Sequence, residues 1–307
     1  MRIDDQNIKP CSEYNFSFSG YHIVYFLIDN NIDSLAYMFN GINDMILIKF
    51  TNKFDSQKIT NMEYMFDGCS SLKSIDLSNL NTENVLSMES MFREYNLESL
   101  NLSNFNTKNV ENMGGMFSQC TNLISLDISS FNTEKVIYLN SMFSYCEKIT
   151  SLNLSNFNLG KAIYINDMFN SCFNLRTIDL FYNTHNIQNM DFLFYCCTNL
   201  LSVDLSGFNL QNVWGMNEMF SFCNKITSIN LSNININQEI YIKQMFQECN
   251  NLQVLDLSSF EENYIHISNN LFYNIRNNIS CTLIINKNLY INIKETIPTN
   301  WIIIEIE

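Results

Sequence analysis

The sequence has little of the material that links or separates domains. Two prolines and eight glycines occur among its 307 residues, and no Pro-rich or Gly/Ser-rich stretch divides it. Such stretches form the usual flexible linkers, so their absence argues for one elongated domain rather than two. No run approaches the roughly 20 apolar residues of a membrane-spanning helix. We therefore expect no insertion into a membrane.

Basic residues and histidines are also scarce. Lys and Arg together number 17 against 31 Asp and Glu, and the formal net charge is −14. This charge repels phosphate groups, which argues against nucleic acid or an anionic membrane as a partner. The three histidines, His22, His185 and His266, occupy unrelated positions, and no Cys-x-x-Cys pair occurs. The sequence therefore predicts no His-based triad, no metal site and no cofactor.

What the sequence does contain is a repeat of fixed length. A Met-Phe or Leu-Phe pair recurs ten times, from Met38–Phe39 to Leu271–Phe272, and successive pairs are 25 to 27 residues apart. A period of this length is typical of a solenoid, in which one unit buries its apolar face only by stacking on its neighbours. Ten stacked units would span about 50 Å.

Each unit combines two periodicities. The segment Ser74–Ser78 alternates polar and apolar residues, and Ser125–Ser129 repeats the alternation, which predicts a half-buried strand. Val85, Met88 and Phe92 follow one another at intervals of three and four residues, which favours a short helical or 3₁₀ return that faces inward. Each coil would therefore be one strand plus one irregular or helical return, and stacked coils would contribute one parallel strand per repeat to a sheet.

These repeats resemble a known family. Leu123–Ile128 and Leu200–Leu205 follow the Leu-x-x-Leu-x-Leu core of leucine-rich repeats, with Ile or Val at one position. Asn61–Leu72 and Asn112–Cys120 are similar to the BspA-type repeat, also called the Mycoplasma-type lipoprotein repeat, and the resemblance covers roughly residues 32–283. It implies an α/β right-handed solenoid, shaped as a horseshoe or arc, with one parallel-sheet strand per repeat. It also implies a surface-exposed adhesion or interaction protein, and it brings no catalytic residues to this chain.

The predicted organisation has three parts. Residues 1–31 would form an N-terminal cap, residues 32–283 about ten tandem BspA-type leucine-rich repeats, and residues 284–307 a C-terminal capping hairpin. The hairpin would pair Leu289–Ile293 with Trp301–Ile306. Such caps cover the open ends of the sheet, which otherwise invite aggregation.

Seven of the ten cysteines share one position, three residues after the Phe of a pair. Tyr95 and Ile275 occupy the same position in two other repeats, so the position accepts side chains of different chemistry and serves packing. A free Cys packs as a small hydrophobe. We therefore expect buried thiols rather than disulfides at Cys69, Cys120, Cys146, Cys172, Cys197, Cys223 and Cys249.

The outward middle position of each predicted strand holds Asp or Asn. Serine flanks most of these positions, so the strand face is polar and acidic. Two explanations remain open: the asparagines relieve repulsion within a ladder of carboxylates, or the strip binds a glycan, a basic segment or a cation through hydrogen bonds. The positions are Asp76, Asn101, Asp127, Asn153, Asp179, Asp204, Asn230 and Asp256.

One stretch departs from this pattern. Asp179 and Asp204 are consecutive aspartates, and Phe181 and Tyr182 replace the usual serine and its neighbour. An exposed aromatic ring beside acidic groups is typical of a binding hot spot, while a one-residue deletion in the same repeat offers a plain structural alternative. A second row lies after the Val position, and we expect it to be partly buried: Ile137–Tyr138, Ile163–Tyr164, Trp214 and Ile240–Tyr241. The candidate ligand-binding residues are Asp179, Phe181, Tyr182, Asp204 and Trp214.

The same two aspartates make the best case for an enzyme, and the case is weak. Two carboxyls about 5–5.5 Å apart would suit a retaining glycosidase, but an open, wet face does nothing to raise the pKa of one of them. We therefore predict a monomeric, non-enzymatic binding scaffold that acts in adhesion or in host and protein interaction at a surface, with a protein or glycan as its ligand. The alternative is an intracellular protein-interaction scaffold.

Localisation stays open at this point. Met1–Asp5 is partly acidic where a signal peptide needs basic and apolar residues, and Ile8–Pro10 before Cys11 does not match a lipoprotein cleavage site. Either the chain is a cytoplasmic member of the family, or a targeting segment lies outside this sequence. The resemblance itself implies the cell surface or secretion.

Overall fold

The chain folds into a parallel β-solenoid of about nine turns with very little helix. The computed structural model describes residues 22–26, 28, 31–52, 54–236, 238–261, 265–266, 270–275 and 280–306, together with the backbone of residues 2–3 and 6–7. Within these residues, the predicted solenoid of stacked parallel repeats is confirmed, but the predicted strand Ser125–Ser129 and the equivalent residues 99–101 form no strand.

The strands are short, and most pair in parallel with the equivalent segment of another repeat. Their bounds are Arg2–Ile3 (β1), Gln6–Asn7 (β2), Val24–Tyr25 (β3), Leu47–Lys49 (β4), Ser74–Asp76 (β5), Ser151–Asn153 (β6), Thr177–Asp179 (β7), Ser202–Asp204 (β8), Ser228–Asn230 (β9), Ile240–Tyr241 (β10), Val254–Leu257 (β11), Ile265–His266 (β12), Thr282–Asn286 (β13) and Ile302–Ile306 (β14). β4 pairs with β5, β6 with β7 and β10 with β12, while β8, β9, β11, β13 and β14 form one sheet in that order. Near the N-terminus, β1 pairs antiparallel with β2 and β3.

A continuous stack of phenylalanine rings forms the centre of the core. The Phe of each Met-Phe or Leu-Phe pair, from Phe39 to Phe272, is buried. Neighbouring rings in this row lie 5.2–6.1 Å apart between centroids, at interplanar angles of 3–17°. Trp301 ends the row with an edge contact to Phe272 at 5.0 Å. Because stacked aromatic rings stabilise beyond the apolar area that they bury, this row joins every coil to the next.

The return segment faces inward as predicted, but it is not helical. Two positions per coil, four residues apart, have a left-handed backbone, as at Tyr64 (φ 53°) and Gly68 (φ 71°). Alternate N–H groups donate to the next coil: Tyr64 donates to the Glu89 carbonyl at 2.8 Å, and Phe66 donates to the Met91 carbonyl at 2.9 Å. Of the two predicted alternatives, an irregular or a helical return, the structure has the irregular one, because neighbouring coils supply the hydrogen-bond partners that a helix would supply within itself.

The cysteines at the shared position are buried, and each thiol has the same partner. Each donates to the carbonyl oxygen of the paired Phe in the preceding coil at 3.1–3.2 Å, as Cys146 does to Phe117. Burial raises the pKa of Cys69 to about 11 and that of Cys120 to about 12. The expected buried thiols are confirmed, and each cysteine in the described part of the chain is a free thiol. Cys11 lies outside that part.

The C-terminal segment is not a hairpin. An α-helix, Lys287–Ile293 (α1), and a 3₁₀ helix, Lys294–Thr296, connect β13 to β14, which are parallel. Leu289 and Ile293 are four residues apart and both buried, so the apolar residues that suggested a strand lie on one side of a helix. A parallel pair requires such a crossover. Within the described residues, no helix is long and apolar enough to cross a membrane.

The division into two caps and a central array stays a prediction. Most of residues 1–31, the predicted N-terminal cap, lie outside the described residues. In the rest of that segment, the Phe26 ring makes an edge contact with Phe39, the first ring of the stack, at 5.6 Å. Trp301 makes the corresponding contact at the other end. Both contacts are what end caps would provide.

Replacing Phe143 by Ala should lower the free energy of unfolding by about 3–5 kcal/mol, because the change removes one fully buried ring from the stack and leaves a cavity. Urea denaturation followed by circular dichroism measures the change. Lys148→Ala, at an exposed position of the same coil, is the matched control and should leave the midpoint in place. An unchanged midpoint for Phe143→Ala would contradict the assignment of this row as the core.

Thiol labelling tests the buried cysteines separately. Cys196 is half-buried, whereas its neighbour Cys197 is fully buried and burial raises its pKa well above the ordinary value. Because the thiolate is the reactive species, iodoacetamide should modify Cys196 before Cys197 in the native chain. Mass spectrometry of the digested chain identifies the modified residue. Modification of Cys197 or Cys146 at the same rate as Cys196 would count against the buried thiols.

Candidate binding surface

The Asp or Asn in the middle of each strand segment closes a turn. At seven of the eight positions its Oδ1 accepts the backbone N–H of the serine two residues later, at 2.9–3.1 Å. Such an Asx turn needs one side-chain oxygen, which Asp and Asn both supply. The mixture of the two residues therefore follows from turn formation, an explanation that the sequence analysis missed.

The same hydrogen bonds hold two of the carboxylates ionised. The Ser78 hydroxyl and N–H, together with the Lys49 ammonium at 3.1 Å, lower the pKa of Asp76 to about 2. The Ser129 hydroxyl and N–H lower the pKa of Asp127 in the same way. Hydrogen bonds to the charged form of a carboxyl stabilise that form. These two side chains are therefore poor proton donors at neutral pH, which is the opposite of what a general acid needs.

Phe181 is buried, so the prediction of an exposed aromatic ring at this position is wrong. The side chain is 4 % exposed, and its ring lies 5.4 Å from that of Phe208. It occupies the inward position that Phe157 and Phe208 occupy in the neighbouring coils. Phe181 is therefore part of the core rather than a replacement for an outward serine, and it is not available to a ligand.

A shortened turn is the reason for this change. Asn153 pairs with Asp179, and Asn158, five residues later, bridges to Tyr182, only three residues later. The coil therefore lacks the two residues that form the turn elsewhere. One residue is regained at Asn183, whose φ of 58° lies in the left-handed region. The net loss is the single residue visible in the sequence, but its position within the repeat becomes clear only from the pairing of the coils.

The two consecutive aspartates are not held together as a pair. Asp179 ends β7 and Asp204 ends β8, and these strands belong to different sheets. Asp204 accepts the Ser206 N–H at 2.9 Å, whereas the Asp179 carboxylate makes no hydrogen bond or ion pair within the described residues. In the same residues, no group of three or more His, Cys, Asp or Glu side chains is placed to hold a metal ion.

The predicted site residues therefore separate into three places. Asp179 and Tyr182 remain on the strand side, where Tyr182 is 49 % exposed and Asp179 is also exposed. Asp204 lies one coil further and serves a turn. Phe181 lies in the core. Trp214 lies at a different corner of its coil, after the Val position, and belongs to a second surface feature.

That second feature is a row of aromatic side chains where successive coils turn. Parallel bridges join Tyr138 to Tyr164 and Gly215 to Tyr241, so equivalent side chains lie one coil apart. The rings of Tyr138 and Tyr164 stack at 5.8 Å, and those of Tyr241 and His266 stack at 4.7 Å. The aromatic corner row consists of Tyr138, Tyr164, Trp214, Tyr241 and His266.

The rings of this row are accessible to a ligand. Tyr138 and Trp214 are each 41 % exposed and Tyr241 is 47 % exposed, so the expected partial burial leaves a large part of each ring in contact with water. The sequence predicted the row with Tyr138, Tyr164, Trp214 and Tyr241, and of these Trp214 was the candidate ligand-binding residue. The recurrence of Tyr after the Val position was a visible signal, but the stacking of His266 on Tyr241 required the structure.

In one coil the aromatic residue, Trp214, comes one position before the residue that forms the bridges to neighbouring coils, Gly215. A Cβ at residue 215 would lie 2.8–2.9 Å from the carboxylate oxygens of Asp191. That carboxylate accepts the Asn217 N–H at 2.7 Å, and burial raises its pKa. The bridge position holds Tyr or His in the other coils of the row, but there is no room for a side chain here, so it holds Gly. Trp214, the preceding residue, supplies the ring.

The fold defines the class of protein: a parallel β-solenoid of tandem repeats. The model of one family, described as "Mycoplasma protein of unknown function, DUF285", matches residues 33–125, 94–180 and 173–282. The chain belongs to this family.

Comparison with individual proteins adds little. No curated protein matches the chain in sequence. Among solved structures, it is similar to "Crystal structure of TLR13-ssRNA13 complex", with a TM-score of 0.31 and 19 % identity, over 80 % of this chain and 42 % of that chain. The chain thus spans less than half the length of that structure, and a likeness this low supports no statement about function.

Asn153→Asp should leave the stability unchanged, whereas Asn153→Ala should cost about 1 kcal/mol, because the Ser155 N–H and hydroxyl lose their acceptor. Urea midpoints of the two variants measure the difference. Ser151→Ala, at an exposed position of the same strand, controls for the loss of a polar side chain. Equal stability of the Asp and Ala variants would contradict the turn as the reason for the Asp and Asn positions.

Proposed function

We propose that this chain is a non-enzymatic binding scaffold that acts in adhesion or in host and protein interaction at a cell surface. The observation that carries the proposal is the aromatic corner row, whose rings project from a frame of hydrogen-bonded coils. Aromatic side chains offer a large apolar face with a polar edge, and they dominate many binding sites. A protein or a glycan would use such a row through the faces of its rings.

Trp214 is the anchor that we assign to this site. It lies between two stacked pairs, Tyr138–Tyr164 and Tyr241–His266, and makes no ring contact of its own within the described residues. The residue is 41 % exposed, so part of its ring is accessible to a ligand. Tyr182 and Asp179 on the strand side form a weaker second candidate, because a carboxylate that has no partner among the described residues stands close in sequence to an exposed ring.

Two further observations support the proposal. The resemblance to BspA-type repeats implies adhesion or interaction at a surface, and a repeat scaffold suits a binding role. The depressed pKa values of Asp76 and Asp127 favour a structural use of the strand-face carboxylates over a catalytic one.

An intracellular interaction scaffold is the second candidate function. The observation that favours it is that each described cysteine is a free thiol, which fits a reducing compartment. Burial of these thiols also protects them in an oxidising one, so the thiols alone do not decide between the two compartments. The identity of the ligand decides between the surface role and the intracellular role.

Binding of the purified chain to glycan arrays and extracellular-matrix protein arrays tests the proposal. Two variants accompany the chain: Trp214→Ser with Tyr241→Ser for the corner row, and Asp179→Asn with Tyr182→Ser for the strand side. Tyr273→Ser removes an equally exposed ring elsewhere and is the matched control. We expect a hit that the corner-row variant loses and the control retains, because the ring faces carry the binding.

The other outcomes are also decisive. A hit lost in the strand-side variant alone would move the site to Asp179 and Tyr182. A hit that all three variants retain would place the site on neither surface and contradict the assignment. Silence on every array would contradict the surface role and favour the intracellular scaffold.

A further inference from the structure

The strand side of the solenoid is split between the second and third coils. The segment Ser99–Asn101, equivalent to β5, forms no strand, and among the described residues no backbone hydrogen bond joins residues 73–76 to residues 98–101. A groove of about 870 Å³ lies there, lined mainly by residues 70–75 and 96–101. This groove is the split cleft.

The third coil has a shorter connection into its strand segment than the second coil. Tyr95 precedes Ser99 by four residues, whereas Cys69 precedes Ser74 by five. Tyr95 also replaces the usual buried cysteine, and its buried hydroxyl has no hydrogen-bond partner in the described part of the chain. A bulkier core residue and a shorter connection therefore coincide where the sheet opens.

The split is confined to the strand side. On the return side, the Tyr64 N–H donates to the Glu89 carbonyl at 2.8 Å, so the two coils remain joined. Immediately after β5, the Asn104 side chain donates to the Leu77 carbonyl at 2.9 Å. The split cleft is therefore a fixed opening in a continuous frame, closed at both ends by contacts between the same two coils.

One wall of the cleft is the open edge of a strand, and the other is the segment of residues 98–101, which forms no strand. β5 pairs with β4 on the side away from the cleft. On the opposite wall, the Glu98 carbonyl accepts the Ile124 N–H at 2.9 Å, again on the side away from the cleft. No neighbouring coil uses the backbone groups that face the cleft, as far as the described residues extend. An edge with free N–H and C=O groups is a template for an added strand.

The surroundings of the cleft are acidic. An adjoining hollow of about 530 Å³ shares Ser70 and Asn96 with it. Glu94 in this hollow lies 3.6 Å from Arg93; the other charged lining residues make no ion pair within the described residues. Opposite charge on a partner would therefore both steer and stabilise binding. The charged lining residues are Asp44, Glu94, Glu98, Glu147 and Lys73.

We propose that the split cleft binds an extended segment of a partner protein that carries basic side chains, by adding a strand along the edge of β5. Main-chain hydrogen bonds to the open edge supply affinity, and alternate side chains of the added strand face the carboxylates. The split cleft and the aromatic corner row share no residue, so the failure of one proposal would leave the other unaffected.

Fluorescence anisotropy with a short labelled peptide of alternating Lys and Thr residues tests the proposal. One twin of this probe carries N-methyl groups on alternate backbone nitrogens, and another carries Glu in place of Lys. Both twins should bind at least about tenfold more weakly, because one loses donors and the other its charge. Hydrogen exchange should show new protection of the Ile75 amide and of amides in Ser99–Asn101 when the Lys-Thr probe binds, because the Ser74 N–H already donates to the Ile46 carbonyl of the preceding coil.

A closing variant tests the location. Tyr95→Cys with one serine inserted after Asn96 restores the spacing of the second coil and should abolish binding of the Lys-Thr probe. Asp44→Asn with Glu98→Gln leaves the backbone intact and should weaken binding severalfold, which keeps the test valid if the closing variant does not fold. Absence of saturable binding to the unaltered chain, equal binding of the N-methylated twin, or unchanged binding to a folded closing variant would each overturn the proposal.

Discussion

Hydrogen bonding between equivalent positions of successive coils is the constraint on which the rest of this structure depends. Parallel bridges recur on both sides of the coil, with partners about one repeat apart, as from Asn61 to Ser87 and from Leu152 to Ile178. A coil that stood alone would leave these N–H and C=O groups unpaired, at a cost that no single repeat could offset. The fixed period of the sequence follows from this requirement, and so do the rows of identical side chains.

Most of the polar side chains serve the same frame. The Thr107 hydroxyl donates to the Asn132 carbonyl of the next coil and accepts the Asn132 N–H, and the Thr133 hydroxyl does the same with Asn158. The thiols satisfy buried carbonyls, and the strand-face Asp and Asn residues close turns. Two surfaces are not explained by this frame: the exposed rings of the aromatic corner row, and the split cleft, where the pairing between coils is interrupted. These are the surfaces that we propose for ligands.

The sequence predicted burial well and local conformation less well. The Phe row, the buried cysteines and most of the strands followed from spacing alone, whereas Ser125–Ser129 forms no strand. The return segment did not, because inward residues three or four apart suit a helix and a left-handed turn equally, and the deciding hydrogen bonds join residues one repeat apart. Phe181 was misplaced because a shortened turn shifts the register, and only the pairing of coils reveals the shift. In the candidate site, the partial burial of Trp214 could be foreseen, whereas the stacking of His266 on Tyr241 could not.

Deleting whole and partial repeats tests the dependence on coil register most directly. Removal of residues 117–142 joins Met116 to Phe143 and restores the pair, so the account predicts that backbone amides in the flanking coils keep their protection from hydrogen exchange. Removal of residues 117–129 breaks the register, and the same amides should lose protection. Equal protection in the two deletion variants would contradict the view that pairing between coils holds this fold together.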